Sequence, residues 1–289
     1  MTIQQKTFDL LEASGLNWSV VKEPLVPQNS EFSPETRSYG LFNNNTKKHI
    51  FTVGEQFTPL QNAEMVELMV EAAESLGLPY EAMRAGSLAN GKKIYVQIRV
   101  PDAMVARDTI KQQITSLNLH GAGSVGFGTT NTVVICQNTF YMAMKDADTK
   151  FRHSVNVKQN LENAIKGLLA TLKNNEADVE NFKRLANAEM KPVHLQQTIG
   201  QLFGVKLNID APLENAEIST RKKNQILSFA DAFKLEIPRH GESLWGLFNA
   251  VTYYTNHVLN EKKDDTFLFD GAGANINIKT YDALMELVS

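Results

Sequence analysis

Met83-Arg84-Ala85-Gly86-Ser87-Leu88-Ala89-Asn90-Gly91-Lys92-Lys93-Ile94-Tyr95-Val96-Gln97-Ile98-Arg99-Val100 sets an Asn-Gly pair between two alternating runs. Asn-Gly in that setting marks a tight hairpin, because both central turn residues take positive φ. With Asn90 and Gly91 in the turn, Leu88 faces Lys93, Gly86 faces Tyr95, Arg84 faces Gln97 and Ala82 faces Arg99. Side chains alternate across a strand, so Met83, Ala85, Ile94, Val96, Ile98 and Val100 gather on one apolar face. The other face carries Arg84, Lys93, Tyr95, Gln97 and Arg99, with Lys92 in the turn. A basic ribbon with an aromatic ring in it suits a phosphate backbone and a stacked base. The plainer reading of the same face is the solvated side of an ordinary hairpin.

Outward from the hairpin, Gln4 to Glu12 reads as a short helix, followed by an irregular arm containing Pro24, Pro27 and Pro34. The polar run Asn43 to Lys48 reads as the tip of a second hairpin, with Tyr39–Phe42 and His49–Val53 as its strands. Asn62 is placed as an N-cap, Met65, Leu68, Met69, Ala72, Ala73 and Leu76 keep helical spacing, and Gly77 ends the helix. Its outward face, Glu64, Glu67, Glu71 and Glu74, reads as solvated. Pro101 to Gln113 reads as a connector, helical in part, before strands at Ile114–Leu119 and Val125–Thr129. His120 to Gly126 is glycine-rich but lacks the Gly-Lys-Ser/Thr ending of a phosphate loop, and a β-like run follows it, so a bulged turn is expected. Thr132 to Cys136 reads as a buried strand and Gln137-Asn138-Thr139 as the start of a helix reaching Ala147. Helical patterns then occupy Lys158–Leu172, Ala177–Met190, Pro192–Phe203, Thr220–Lys234, Ser243–Leu259 and Ile278–Leu287. Strands followed by helices predict an α+β fold: an antiparallel sheet with a β-hairpin packed on helices, then a mostly helical C-terminal region. The expected divisions are an N-terminal arm (1–50), a central α+β domain (51–172) and the helical region (173–289).

At 289 residues, 43% hydrophobic and 21% charged, the composition is that of an ordinary soluble protein. The net charge of −3 confines any nucleic-acid surface to a local patch. Arg84 through Arg152 supplies such a patch, with nine lysines and arginines against four aspartates and no glutamate. Glu242 to Ser289 has seven acids and three lysines. The single cysteine, Cys136, excludes an intrachain disulfide and fits a reducing cytoplasm. No run of about 18 apolar residues predicts a membrane span.

Val133-Val134-Ile135-Cys136-Gln137-Asn138-Thr139, Leu244-Trp245-Gly246-Leu247-Phe248-Asn249-Ala250-Val251-Thr252-Tyr253-Tyr254 with Asn256-His257, and Leu268-Phe269-Asp270-Gly271-Ala272-Gly273-Ala274 together resemble one family. They look like the phage/plasmid-like proteins, a family of unknown function carried on phages, plasmids and prophage islands. The resemblance runs from about Phe51 to the C-terminus and implies a mobile-element setting without a mechanism. In element order, the region is also similar to the core of single-strand annealing proteins. That second resemblance implies homo-oligomers that hold single-stranded DNA by its backbone; no motif carries it.

Catalytic alternatives have thin support. Cys136 ends a β-branched run, where cysteine ordinarily packs as a small apolar residue, although His120 and His153 are available as partners and a helix start would favour the thiolate. The six histidines show no short metal-ligand spacing, and Arg239-His240-Gly241-Glu242 reads as a loop. Trp245, Phe248 and Val251-Thr252 follow an i, i+3, i+6/7 pattern on their helix, which favours core packing over base stacking. The expected role is therefore non-enzymatic binding of single-stranded nucleic acid in the bacterial host cytoplasm, without cofactor or metal. Arg84, Lys92, Lys93, Arg99, Lys145, Lys150 and Arg152 would neutralise phosphates and Tyr95 would stack. The alternatives are a protein-interaction or host-modulating factor, and an enzyme built on Cys136 or a dispersed acid/base set.

Overall fold

The structure is a computed structural model that describes the chain apart from residues 27–37, 122–123, 134–137, 144–149, 155, 157–159, 161–162, 164–175, 207, 209–212, 214–215, 261–266, 269–270 and 289. In chain order its elements are α1 (Ile3–Ser14), β1 (Val20–Pro24), β2 (Ser38–Asn43), β3 (His49–Gly54), α2 (Asn62–Ser75), β4 (Met83–Leu88), β5 (Lys93–Val105), β6 (Asp108–Leu119), β7 (Ser124–Val133), β8 (Asn138–Ala143) and β9 (Lys150–Arg152). Helices follow: α3 (176–187), α4 (Pro192–Phe203), α5 (Thr220–His240), α6 (Leu244–Tyr253), continued as a π-helix over Tyr254–Leu259, and α7 (Ala272–Glu286). Antiparallel sheets and a helical C-terminal region make this an α+β fold. One sheet has the order β1-β2-β3; the other runs β4-β5-β6-β7-β8, with β9 also paired to β7. Among the described residues, no helix is long and apolar enough to cross a membrane.

The chain divides into two compact units. The first comprises Met1–Val100, Gln113–Thr129 and Ala143–Asn174; the second comprises Pro101–Gln112, Thr130–Met142 and Asn175–Ser289. In the first unit α1 and α2 lie together against the apolar side of the hairpin. Leu10 and Leu11 of α1 and Met65, Met69 and Ala72 of α2 share a buried core with Ile94, Val96, Ile98, Val100, Ile114 and Val125. Met83 and Ala85 pack on its margin, completing the apolar face that the alternation predicts. Each fully buried aliphatic side chain there contributes about 1.5–3 kcal/mol. A separate small core, Val20, Leu41, Ile50 and Val53, closes beneath the three-stranded sheet.

The helix ends follow elementary capping chemistry. Thr2 Oγ1 accepts from Gln5 N at 3.2 Å, and Gly15 ends α1 with φ 66. At α2 the cap is Gln61 rather than Asn62, and Glu64 accepts from Gln61 N at 2.9 Å. Asn62 is fully buried instead, donating to the carbonyls of Leu16 and Trp18. The Gln61 amide pairs with both backbone groups of Val20, as a neighbouring strand would.

Two of the expected elements that differ lie in the larger sheet. Pro101–Gln113 is no helical connector; it forms the end of β5 and the start of β6, joined by Ala106 and Arg107, with Ala106 at φ 50. Asn138–Ala143 is a strand and not the start of a helix. Sheet pairing decides such short stretches against local preference. In the second unit, Phe182, Phe229, Leu244, Trp245, Leu247, Phe248, Val251 and Tyr254 form a helical core, so the aromatic run of α6 packs internally as its spacing indicates.

Candidate nucleic-acid interface

The hairpin register agrees with the turn chemistry. Arg84 pairs with Gln97, Gly86 with Tyr95 and Leu88 with Lys93, while Ala82 lies before the strand in a single helical turn. Asn90 and Gly91 have φ 57 and 84, and Lys92 N donates to Ala89 O across the turn at 3.3 Å. A Cβ on Gly86 would lie 2.6 Å from the Tyr95 hydroxyl, because the Tyr95 ring lies over this bare stretch of β4. Glycine at this position makes room for the aromatic ring.

Arg84, Lys92 and Arg99 are exposed, whereas Lys93 and Tyr95 are half-buried. Lys93, Tyr95 and Arg99 also interact with other groups of the chain. Arg84 is oriented by two carboxamides: Nε donates to Gln97 Oε1 at 2.6 Å and Nη2 to Gln113 Oε1 at 3.1 Å. Gln97 in turn donates to Thr115 Oγ1 at 2.9 Å. These partners are neutral, so they fix the guanidinium without cancelling its charge. Gln97 and Thr115 are 1% and 0% exposed, so the middle of this sheet face is closed and its accessible cations lie towards the edge.

Arg152 is exposed on β9, opposite the backbone of Ser124. That register is one residue out of phase with core-facing Val125, so Arg152 shares the non-core face with Arg84. β6 and β7 intervene between β5 and β9, a lateral separation of about 14 Å at normal strand spacing. The hairpin therefore gathers Arg84, Lys92, Lys93, Tyr95 and Arg99, and Arg152 stands apart on the same face. Lys150 is placed by its backbone, paired with Gly126. Lys145 and Cys136 lie outside the described residues.

Two buried histidine sites have a different character. His120 is 1% exposed, its Nε2 lies 3.3 Å from Asn62 Oδ1, and its Nδ1 has no hydrogen-bond partner. Burial, reinforced by neighbouring His153, pushes its pKa from 6.5 down to about 3. His153 is also lowered by burial, with the backbone of Thr58 and Leu119 opposing the shift, and its ring stacks on Phe57. In the second unit, His240 Nδ1 lies 2.7 Å from Asp108 Oδ2 and Nε2 lies 3.1 Å from Glu236 Oε2. Trp245 Nε1 donates to the same Asp108 oxygen at 2.8 Å, and Arg239 pairs with Glu236 at 2.7 Å. Each ring nitrogen of His240 thus faces a buried carboxylate oxygen. His240 belongs to the last turn of α5, not to a loop.

Sequence reading misses this cluster because Asp108 and Trp245 are remote from His240 along the chain or separated from it by a turn. The Glu236/His240 spacing of four residues is its one local signal. Among the described residues, no three or more His, Cys, Asp or Glu side chains group to hold a metal ion.

A family model described as a domain of unknown function, DUF932, matches residues 49–276. The chain belongs to the DUF932 family. No curated protein and no solved structure matches it. The DUF932 match includes the whole hairpin, the Asp108–His240–Trp245 cluster and Gly246. Gly246 has a direct steric reason to be glycine: a Cβ there would lie 2.2 Å from Gly241 O.

Proposed function

We propose that this DUF932 protein binds single-stranded nucleic acid through the outer side of the β4–β5 hairpin. The observation that supports this reading is the row of exposed Arg84, Lys92 and Arg99 beside Tyr95, with Arg84 held by neutral amides. Cations placed in this way neutralise phosphates, while the aromatic ring adds sequence-tolerant stacking. The resemblance of its sequence motifs to mobile-element proteins supports a role in a phage or plasmid, promoting strand annealing during recombination or replication. On this reading the protein is a homo-oligomer of the host cytoplasm and does no covalent chemistry.

Fluorescence polarisation with short single-stranded and duplex DNA, at two salt concentrations, tests the proposal. The expected result is tighter binding of the single strand, weakening with salt by about 0.7 log units per decade for each phosphate contacted. Changing Lys92, Lys93 and Arg99 together to glutamate should abolish most of that affinity. Unchanged binding by this variant refutes the assignment.

A further inference from the structure

Beside the hairpin reading stands a second feature of the first unit, on the three-stranded sheet. A cavity of about 320 Å³ opens against β1, β2 and the β2–β3 turn. Val21 and Phe42 are direct partners in the β1–β2 ladder, so both project on the side opposite Leu41 and the small core. A Cβ on Gly40 would lie 2.5 Å from the Phe42 ring, because that ring lies across the glycine. Phe42, Val21 and Pro24 thus give the cavity apolar walls with an aromatic face.

Its polar groups are opposite in sign. Glu23 and Lys47 both line the cavity, both are exposed, and neither side chain has an ion-pair or hydrogen-bond partner among the described residues. Lys47 is held at φ 59 in the turn, where its N–H donates to Asn43 O at 2.8 Å. The Asn43 carboxamide oxygen accepts from Asn45 N and Thr46 N, so the turn carrying Lys47 is braced from within. An apolar cavity of this size with a few polar groups at its margin has the general form of a small-molecule site.

We infer that this cavity binds one nucleotide whose base carries an exocyclic amino group, with the base on Phe42, the amino group on Glu23 and the phosphate on Lys47. A carboxylate only accepts hydrogen bonds, so Glu23 rewards the N–H₂ of cytosine or adenine and opposes the carbonyl that thymine presents there. Lys47 supplies the compensating charge for phosphate, and the volume admits one unit rather than a run of stacked bases. The inference deepens the nucleic-acid reading by adding a base preference, but it rests on residues separate from the hairpin.

Calorimetric titration of the full chain with dCMP, dAMP and dTMP tests it. The expected order is dCMP and dAMP above dTMP by about fivefold or more. Glu23→Gln should level that difference, because the amide also donates. Phe42→Leu, which keeps an apolar side chain, should weaken all three by about fivefold or more through lost stacking. Thermal melts of each variant verify that the fold persists, and Lys47→Gln gives an independent readout at an exposed position. Equal binding of dTMP and dCMP, no binding of any mononucleotide, or unaltered binding by Phe42→Leu overturns the inference. Those outcomes are separable from the hairpin proposal, because Lys92→Glu/Lys93→Glu/Arg99→Glu should leave mononucleotide affinity unchanged while removing strand binding.

Discussion

His120 illustrates what a single residue contributes once it is buried. The sequence offers it as one of six histidines, a possible partner for Cys136. The structure seats it at 1% exposure with one ring nitrogen unpaired, and its pKa falls to about 3. The unfolded chain binds a proton at this side chain near pH 6.5, whereas the folded chain does not until the pH is far lower. Stability from the neutral ring is therefore present above about pH 6.5 and is lost as the pH falls towards 3. At pH 5 the cost is about 2 kcal/mol, from 1.36 kcal/mol for each pH unit below 6.5. Urea denaturation at pH 7 and pH 5 should show this loss, and His120→Gln should flatten the dependence. Because His153 is shifted in the same direction, the variant should retain a residual slope. No local pattern around His120 encodes this, since the burying groups arrive from α2 and from the chain beyond β9.

At the scale of elements, legibility tracks how local the determining interaction is. The Asn90-Gly91 turn and the alternation around it yield the β4–β5 register, because turn geometry and side-chain parity are properties of the segment itself. Asn138–Ala143 fails for the opposite reason. Its Asn-Thr start imitates a helix cap, while its place beside β7 is set by residues outside the segment. The strand Val20–Pro24 is missed similarly, since much of its definition comes from pairing with β2 and from the Gln61 amide. The hairpin turn itself yields a prediction. Gly91 has φ 84, and a Cβ would lie 3.3 Å from the Trp18 ring. Gly91→Ala should destabilise the protein by about 1–2 kcal/mol, since an L-residue pays that order for a left-handed conformation. A lower urea midpoint with an unchanged denaturant slope is the expected observation.

For the whole molecule, charge distribution says more about partners than net charge does. The chain totals −3, yet the segment from Arg84 to Arg152 has nine cationic residues to four acidic ones. Composition reveals that excess, but only the fold shows where the cations stand: Arg84, Lys92, Arg99 and Arg152 are exposed in the first unit, and Arg107, also exposed, donates to the Pro238 carbonyl at 2.6 Å in the second. A hairpin-specific site and a general charge effect make different predictions for paired substitutions of equal charge. Lys92→Glu with Arg99→Glu should lower single-strand affinity steeply and reduce the salt slope by about 1.4, two contacts at 0.7 each. Arg221→Glu with Lys234→Glu changes the net charge by the same amount on α5, in the other unit. This second variant should keep the salt slope of the unaltered protein and nearly all of its affinity. Polarisation titrations over four salt concentrations compare the two. If both variants lose affinity equally, the attraction comes from total charge, and the hairpin has no privileged part in binding.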